Sequence, residues 1–127
     1  MSTRGLVGIL NPDKTVTAIY NHFDSYFECL GKTLVEEFNE EEKVKALIKR
    51  GNGSFVTDEH GYRDETEDEK RIAFKDEKEY AEKCSEDIFI EYCYLWKNNQ
   101  WFGSDTENDL SPLDSNGYPE GCKKEEE

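Results

Sequence analysis

Alternating apolar and polar residues predict a hairpin at the start of the chain. Two segments rich in β-branched and aliphatic residues, 6–10 and 15–20, flank the tetrapeptide Asn11-Pro12-Asp13-Lys14. Proline presets a turn dihedral, and Asn and Asp side chains hydrogen-bond to nearby backbone groups, so this tetrapeptide favours a tight turn. The pattern therefore predicts two antiparallel strands joined by a short loop.

A pair of helices is predicted next. Apolar residues recur at three- and four-residue spacing over 25–38 and again over 40–50. Ser25 and Glu28 have the spacing of a capping box, in which each side chain bonds to the other residue's amide. We therefore expect the first helix to begin at Ser25.

The second half of the chain predicts further strands and one short helix. The strands are expected near 54–56, 71–74, 88–96 and 101–102. The segment 88–96 is apolar on both of its alternating faces, which is typical of a central strand. Asn98-Asn99 suits a tight turn after it. Asp76, with Glu79 three residues later, predicts the start of a helix over 77–84.

These elements predict an α+β fold, in which an antiparallel sheet carries the helix pair on one face. The length of 127 residues suits a single domain, which we assign to 1–103. Within it, 58–70 is acidic and has no apolar period, so we expect an exposed loop. Residues 104–127 are rich in Pro, Gly, Ser, Asn and Asp and predict a loosely attached acidic tail.

The sequence also predicts where the protein resides and whether its cysteines bind zinc or form disulfides. No apolar run approaches the roughly 20 residues of a membrane span, and the N-terminus has no apolar signal region. We therefore expect an intracellular protein that contacts no membrane. The spacing of the four cysteines matches no zinc site, so we expect free thiols and no cofactor. These cysteines are Cys29, Cys84, Cys93 and Cys122.

The net charge of −14 is concentrated in the later part of the chain. Residues 1–57 carry −1, residues 58–91 carry −8 and residues 92–127 carry −5. A negative field of this size repels nucleic acids and membranes and steers basic surfaces towards the protein. It therefore predicts a partner with a positively charged groove, and the alternative is a solvated acidic face that binds nothing.

Carboxylates spaced along a surface can stand in for the phosphates of a nucleic acid and compete for the Lys and Arg side chains that bind them. Binding of this kind weakens as salt rises, because salt screens exposed charges. The residues expected to bind the partner are Asp58, Glu59, Asp64, Glu65, Glu67, Asp68, Glu69, Glu77 and Glu79.

The junction between the second strand and the first helix is the best candidate for ligand chemistry. Strand periodicity places Tyr20, His22 and Asp24 on one side of the sheet, near a helix N-terminus that favours anions. A nucleotide-like signal molecule is the ligand class that this group suits. The alternative is that Asp24 caps the helix while His22 and Tyr26 pack. The candidate ligand-binding residues are Arg4, Tyr20, His22, Asp24, Tyr26 and Lys32.

Nothing in the sequence points to a complete active site. The nucleophile elbow, phosphate-binding loop, zinc-protease and dinucleotide motifs are missing. The enzymatic alternative is a hydrolase that uses His22 with Asp24 or Cys29. Asp105-x-Glu107-x-Asp109 has the opening spacing of a calcium loop, but Leu110 stands where that loop needs glycine. We therefore expect no enzymatic activity, no catalytic residue and no dedicated metal site.

Four segments together resemble a group of small proteins encoded by bacteriophages and prophages. The segments are Ser2-Thr3-Arg4-Gly5, Asn11-x-Asp13, Tyr20-x-His22-x-Asp24-x-Tyr26 and Gly31-Lys32-x-Leu34. The resemblance covers roughly residues 1–50. Members of the group place glycine and proline where this chain has Ser25 and Phe27, so a ligand loop built on that turn would differ here.

The resemblance implies a phage setting, in which small acidic accessory proteins often inhibit host defences such as CRISPR effectors and restriction enzymes. Together with the charge, it leads us to expect a non-enzymatic, anti-CRISPR-like inhibitor in the host bacterial cytoplasm. Its acidic surface would mimic nucleic acid and block a basic nucleic-acid-binding groove. The alternative is a protein that sequesters a nucleotide signal at the Tyr20-His22-Asp24-Tyr26 junction.

Overall fold

The computed structural model describes most of the α+β domain. The described residues are 4–21, 25–50, 72–86, 90–105, 110–115 and 117–119, without the side chains of residue 50 and residues 84–86. The strand predicted near 54–56 and the acidic loop 58–70 lie outside them. The predicted α+β class is confirmed by a mixed sheet with helices packed against it.

Six strands of the described chain form one sheet. They are β1 (Gly5–Leu10), β2 (Val16–Asn21), β3 (Ile72–Phe74), β4 (Tyr92–Lys97), β5 (Gln100–Asp105) and β6 (Ser111–Pro112). Their order across the sheet is β3-β2-β1-β4-β5-β6. The N-terminal hairpin is confirmed, and β4 is central as its apolar pattern predicts, although it begins only at Tyr92.

The sheet is mixed, whereas the sequence pattern predicted a wholly antiparallel one. β1 and β4 run parallel, with Leu6 opposite Cys93 and Gly8 opposite Leu95. The other neighbouring pairs are antiparallel. A parallel pair requires a long crossover connection, which in this chain includes the helices. Residue patterns within a strand carry no information on the direction of its neighbour, so the prediction was wrong on this point.

Helices cover both faces of the sheet. A π-helical segment (Phe27–Gly31) continues into α1 (Lys32–Glu37), which is followed by α2 (Glu41–Arg50) and, after β3, by α3 (Glu77–Glu86). Leu34 of α1 and Val44 of α2 are fully buried in one core cluster with Trp96. Tyr80 of α3 is buried in a second cluster on the opposite face. The predicted helix pair on one face is confirmed.

The first helix does not begin with the predicted capping box. Ser25 is fully buried, and its hydroxyl accepts a hydrogen bond from the Asn21 side-chain amide (2.8 Å) and donates to the Asn21 carbonyl oxygen (3.2 Å). The helix starts later, at Phe27, after an extended Tyr26 that makes no side-chain cap. The Tyr94 hydroxyl also donates a hydrogen bond to the Ser25 carbonyl oxygen (2.6 Å). Ser25 is therefore part of the buried core and not a helix cap.

Residues 110–115 and 117–119 dock on the domain, although 104–127 were predicted to form a loose tail. β6 pairs with β5, which places Pro112 opposite Phe102. The Tyr118 hydroxyl donates to the Glu28 carboxylate (3.0 Å), and its ring lies 5.8 Å from that of Phe27. The described part of the predicted tail thus covers the π-helical segment.

The cysteines also depart from the predicted set of free thiols. Cys29 forms no disulfide, but Cys93 is disulfide-bonded to a partner outside the described side chains. Cys93 is 1% exposed and belongs to the core cluster on the α3 face. Sequence spacing does not show which cysteines approach each other in space, and a disulfide depends on that distance.

Candidate functional site

Two described residues of the predicted strand–helix junction, Tyr20 and Lys32, lie on opposite sides of the sheet. Tyr20 packs against the core cluster on the α3 face of the sheet. Lys32 is exposed in α1, which packs on the opposite face. His22 and Asp24 lie outside the described residues. The sheet therefore separates two of the proposed ligand-binding side chains.

Arg4 and Tyr26, the other two described candidates, use their carbonyl groups to hold local structure. The Arg4 carbonyl oxygen accepts a hydrogen bond from the Glu91 N–H (2.9 Å). The Tyr26 carbonyl oxygen accepts from the N–H groups of Cys29 (3.0 Å) and Leu30 (2.9 Å). The half-buried Tyr26 fits the packing alternative.

Glu77 and Glu79, the two described members of the predicted partner surface, both stabilise α3. The Lys97 ammonium donates to the Glu77 carboxylate at 2.6 Å and so ties α3 to β4. Asp76 Oδ1 accepts from the Glu79 N–H (2.8 Å), and the Glu79 carboxylate accepts from the Lys75 N–H (3.2 Å). The predicted cap of α3 is confirmed, and the seven candidates of the acidic loop lie outside the described residues.

A second concentration of carboxylates lies where α1 ends and α2 begins. Five exposed glutamates form this acidic corner: Glu36, Glu37, Glu40, Glu41 and Glu42. Lys43 pairs with Glu40 (3.2 Å) and Lys45 with Glu41 (3.3 Å). Exposed pairs contribute only about 0–1 kcal/mol, so a partner's cations can replace these lysines. The corner was not predicted from the sequence, because the charge averaged over residues 1–57 also includes seven basic residues.

A cleft of about 290 Å³ opens between the end of α1 and the β4–β5 hairpin. Its apolar wall consists of Val35, Leu113 and the indoles of Trp96 and Trp101. Its polar rim consists of four exposed amide side chains: Asn39, Asn98, Asn99 and Gln100. Val35 and Asn39 are neighbours in the chain of glutamates of the acidic corner, but none of those glutamates is among the described residues that line the cleft.

The rim of the cleft includes the turn between β4 and β5. Asn98 and Asn99 have φ angles of 54° and 59°, as a two-residue hairpin turn with a left-handed backbone requires. The turn predicted here is confirmed. None of the four rim amides makes a side-chain hydrogen bond with a described residue, so their donors and acceptors are available to a ligand.

The two tryptophans of the cleft differ in how their indole N–H groups are satisfied. Trp96 and Trp101 lie opposite each other on β4 and β5, with ring centroids 5.4 Å apart in an edge-to-face arrangement. The Trp101 N–H donates to the Phe38 carbonyl oxygen (2.8 Å). The Trp96 Nε1 is shielded from solvent and has no hydrogen-bond partner among the described residues. A buried donor without a partner is costly and uncommon.

This difference predicts unequal effects of the same substitution. We expect Trp101→Phe to lower the free energy of unfolding by about 1–2 kcal/mol more than Trp96→Phe. Both changes remove a similar volume from equally buried positions, each 3% exposed. Trp101→Phe also leaves the Phe38 carbonyl oxygen unpaired, whereas Trp96→Phe removes a donor that had no partner. Urea denaturation of the two variants measures the difference, and equal losses would contradict this assignment.

The cleft was likewise not predicted from the sequence. Leu113 was assigned to the tail, and the end of α1 was not expected to meet the hairpin. A signal was nevertheless present: the only two tryptophans of the chain flank three consecutive amides, Asn98-Asn99-Gln100. Aromatic and amide side chains together at one turn are typical of a binding surface.

None of the described helices is long and apolar enough to cross a membrane. Within the described ranges, no three His, Cys, Asp or Glu side chains come together in a potential metal site. A scan against protein-family models, a search of curated proteins and a search of solved structures each found no match to this chain.

Proposed function

We propose that this protein is a non-enzymatic, phage-encoded inhibitor of a host defence system. Its acidic surface mimics nucleic acid and covers a basic nucleic-acid-binding groove of a defence complex in the bacterial cytoplasm. The observation that carries the proposal is the excess of carboxylates. The net charge is −14, residues 58–91 contribute −8, and the acidic corner adds five exposed glutamates on the described surface.

Two physical effects support this function. The negative field of the whole chain raises the rate of encounter with a groove lined by Lys and Arg. Once docked, carboxylates occupy the positions of phosphates, whose contacts provide most of the affinity of a nucleic-acid-binding groove. The resemblance of residues 1–50 to phage and prophage proteins gives the biological setting.

Displacement of nucleic acid tests the proposal directly. A labelled duplex is bound to purified host defence complexes, and its release is followed by fluorescence anisotropy as the protein is added. We expect release at low salt and an inhibition constant that rises at least about tenfold between about 50 and 300 mM salt, because salt screens the charges. An inhibition constant that stays flat over this range would contradict the mimic.

A charge-reversal variant tests whether the predicted acidic loop is the binding surface. We expect the variant Asp64→Lys, Glu65→Lys, Glu67→Lys and Asp68→Lys to lose most of the displacement, because it changes the net charge by eight units. The matched control exchanges Asp and Glu at the same four positions and keeps every charge. The control should displace nucleic acid as the unmodified protein does, and loss of activity in both variants would point to shape rather than charge.

A thermal-shift screen distinguishes the inhibitor function from the alternative, in which the protein binds a nucleotide. A protein that sequesters a nucleotide at the junction of Tyr20, His22, Asp24 and Tyr26 would be strongly stabilised by one nucleotide. The inhibitor proposal instead predicts no stabilisation by any nucleotide.

A further inference from the structure

The positions of the other cysteines restrict the partner of the disulfide at Cys93. The chain has four cysteines, and Cys29 forms no disulfide, which leaves Cys84 and Cys122. Cys93 is 1% exposed, so a cysteine of a second chain does not reach it in the folded protein. The bond is therefore internal, and the fold decides which of the two remaining cysteines closes it.

The helix α3 and the strand β4 run antiparallel along one face of the sheet. Near the start of α3, the Glu77 carboxylate accepts a hydrogen bond from Lys97 at the end of β4 (2.6 Å). One turn later, the Tyr80 hydroxyl donates to the Tyr94 carbonyl oxygen (2.6 Å). Rising residue numbers in α3 thus meet falling residue numbers in β4, and the following turn of α3 comes beside the start of β4.

The same arrangement brings position 84 of the helix level with Cys93. From Glu77 to Cys84 the α-helical rise is about 10 Å. From Lys97 back to Cys93 the extended strand covers about 13 Å. Five residues, 87–91, join the two elements, so the end of α3 and the start of β4 meet at a short connection.

The two positions also lie on the side of the sheet that α3 covers. Cys93 belongs to the core cluster that includes Tyr80. Cys84 follows Tyr80 by four residues in α3, and residues at this spacing lie on one side of a helix. Cys122, in contrast, follows Tyr118 by four residues, and Tyr118 packs against the cluster on the opposite face. The fold therefore favours Cys84.

The two halves of α3 differ in how they are held on the sheet. Of the described side chains of α3, only that of Tyr80 is buried in the core. The first half is held by Tyr80 and by the ion pair of Glu77 with Lys97. The next three positions, 81–83, are all exposed. A covalent bond at position 84 supplies the attachment to β4 that these exposed side chains do not.

We propose that Cys93 is bonded to Cys84 and that this cross-link is a redox-controlled attachment of the second half of α3 to β4. The inference goes beyond the proposed function and does not depend on it. Closure converts two thiols to one disulfide, and the protein loses two electrons and two protons. A small-molecule disulfide such as oxidised glutathione accepts them and leaves as two thiols. A reductant reverses the step and releases residues 81–86 from β4.

Peptide mapping tests the pairing. The protein is oxidised with glutathione disulfide, its remaining thiols are alkylated, and Glu-C protease then cleaves between the two cysteines at Glu86 and Glu91. We expect mass spectrometry without reduction to find Cys84 cross-linked to Cys93 and the other two cysteines alkylated. A cross-link between Cys93 and Cys122, or an alkylated Cys93, would overturn the pairing.

Hydrogen exchange tests whether this bond controls α3. We expect the amides that follow Tyr80 in α3 to exchange at least about tenfold faster after reduction with a phosphine, because a local attachment has been lost. The amides of α2, which packs on the opposite face of the sheet, should change by less than about twofold. Equal exchange of α3 in the oxidised and the reduced protein would show that the bond does not hold the helix.

Two serine variants identify the cysteine that is responsible. In Cys84→Ser, α3 should exchange at the faster rate whether or not a reductant is present. The matched control, Cys122→Ser, should keep the redox-dependent difference of the unmodified protein. The opposite pattern, in which only Cys122→Ser loses this difference, would overturn the proposal. Comparison of the two redox forms of the unmodified protein needs no substitution, so it decides the matter even if a variant fails to fold.

Discussion

Substitution of Gly117 by alanine is expected to lower the free energy of unfolding by at least about 3 kcal/mol. Gly117 has a φ of +87°, a left-handed conformation that costs other residues about 1–2 kcal/mol. A Cβ at this position would also collide with the Lys32 nitrogen, the Gly31 carbonyl carbon and the Phe27 carbonyl oxygen. These are backbone atoms of the π-helical segment and α1, which cannot move aside as a flexible side chain would.

The loss should come from detachment of the loop around Gly117. The loop carries Tyr118, whose hydroxyl and ring contact Glu28 and Phe27. Urea denaturation measures the change, and protease cleavage near Tyr118 shows whether the loop has separated from the domain. The control is Ser115→Ala, an exposed position of the same loop, which should change stability by less than about 0.5 kcal/mol. A similarly small effect of Gly117→Ala would disprove the close contact.

Gly31 provides an independent test of the same contact from the other side. A Cβ on Gly31 would collide with the Gly117 carbonyl oxygen. Because each alanine disrupts the same packing, the double variant should lose less stability than the two single variants together. Additive losses would show that the two glycines do not share one contact.

Reduction of the Cys93 disulfide is expected to lower the free energy of unfolding by about 2–4 kcal/mol. The cross-link restricts the unfolded chain, and reduction restores that conformational freedom. Urea denaturation with and without a phosphine reductant measures the difference. Cys29→Ser is the control, since Cys29 forms no disulfide and its substitution should leave the reductant-dependent difference unchanged.

The disulfide also bears on the proposed location of the protein. Bacterial cytoplasm keeps most thiols reduced. Rapid alkylation of cell extracts followed by mass spectrometry therefore reports which form of Cys93 is present in cells. We expect the reduced form in a cytoplasmic protein and the disulfide after exposure to air. Alkylation of Cys93 in the air-exposed protein without reductant would contradict the bond.

Local features of the fold were predictable because their causes lie within a few residues. The Asn11-Pro12-Asp13-Lys14 turn closes as expected, with a hydrogen bond from the Lys14 N–H to the Asn11 carbonyl oxygen (2.9 Å). Asp76 caps α3 through a residue three positions away. The capping box at Ser25 failed because the core competes for the same hydroxyl, and a sequence motif does not report burial.

The candidate sites were less predictable than the strands and helices. The acidic loop was predicted from charge and the lack of an apolar period, and its residues 58–70 lie outside the described structure. The Tyr20 junction relied on strand periodicity, but the sheet places Tyr20 and Lys32 on opposite faces. The cleft depends on the approach of Leu113 to Trp101, whose carbonyl oxygen accepts from the Leu113 N–H (3.0 Å).

By itself, the sequence determined the α+β class, the N-terminal hairpin, the helix pair, the central position of 92–97 and the strongly negative charge. These properties follow from turn chemistry, hydrophobic periodicity and ionisation, which act within a few residues or simply add along the chain. Only the tertiary structure decided the parallel pairing of β1 with β4, the disulfide of Cys93, the docking of residues 110–115 and 117–119, and the cleft. Each of these joins distant parts of the chain, as Tyr118 and Glu28 do across 90 residues, so no local pattern specifies it.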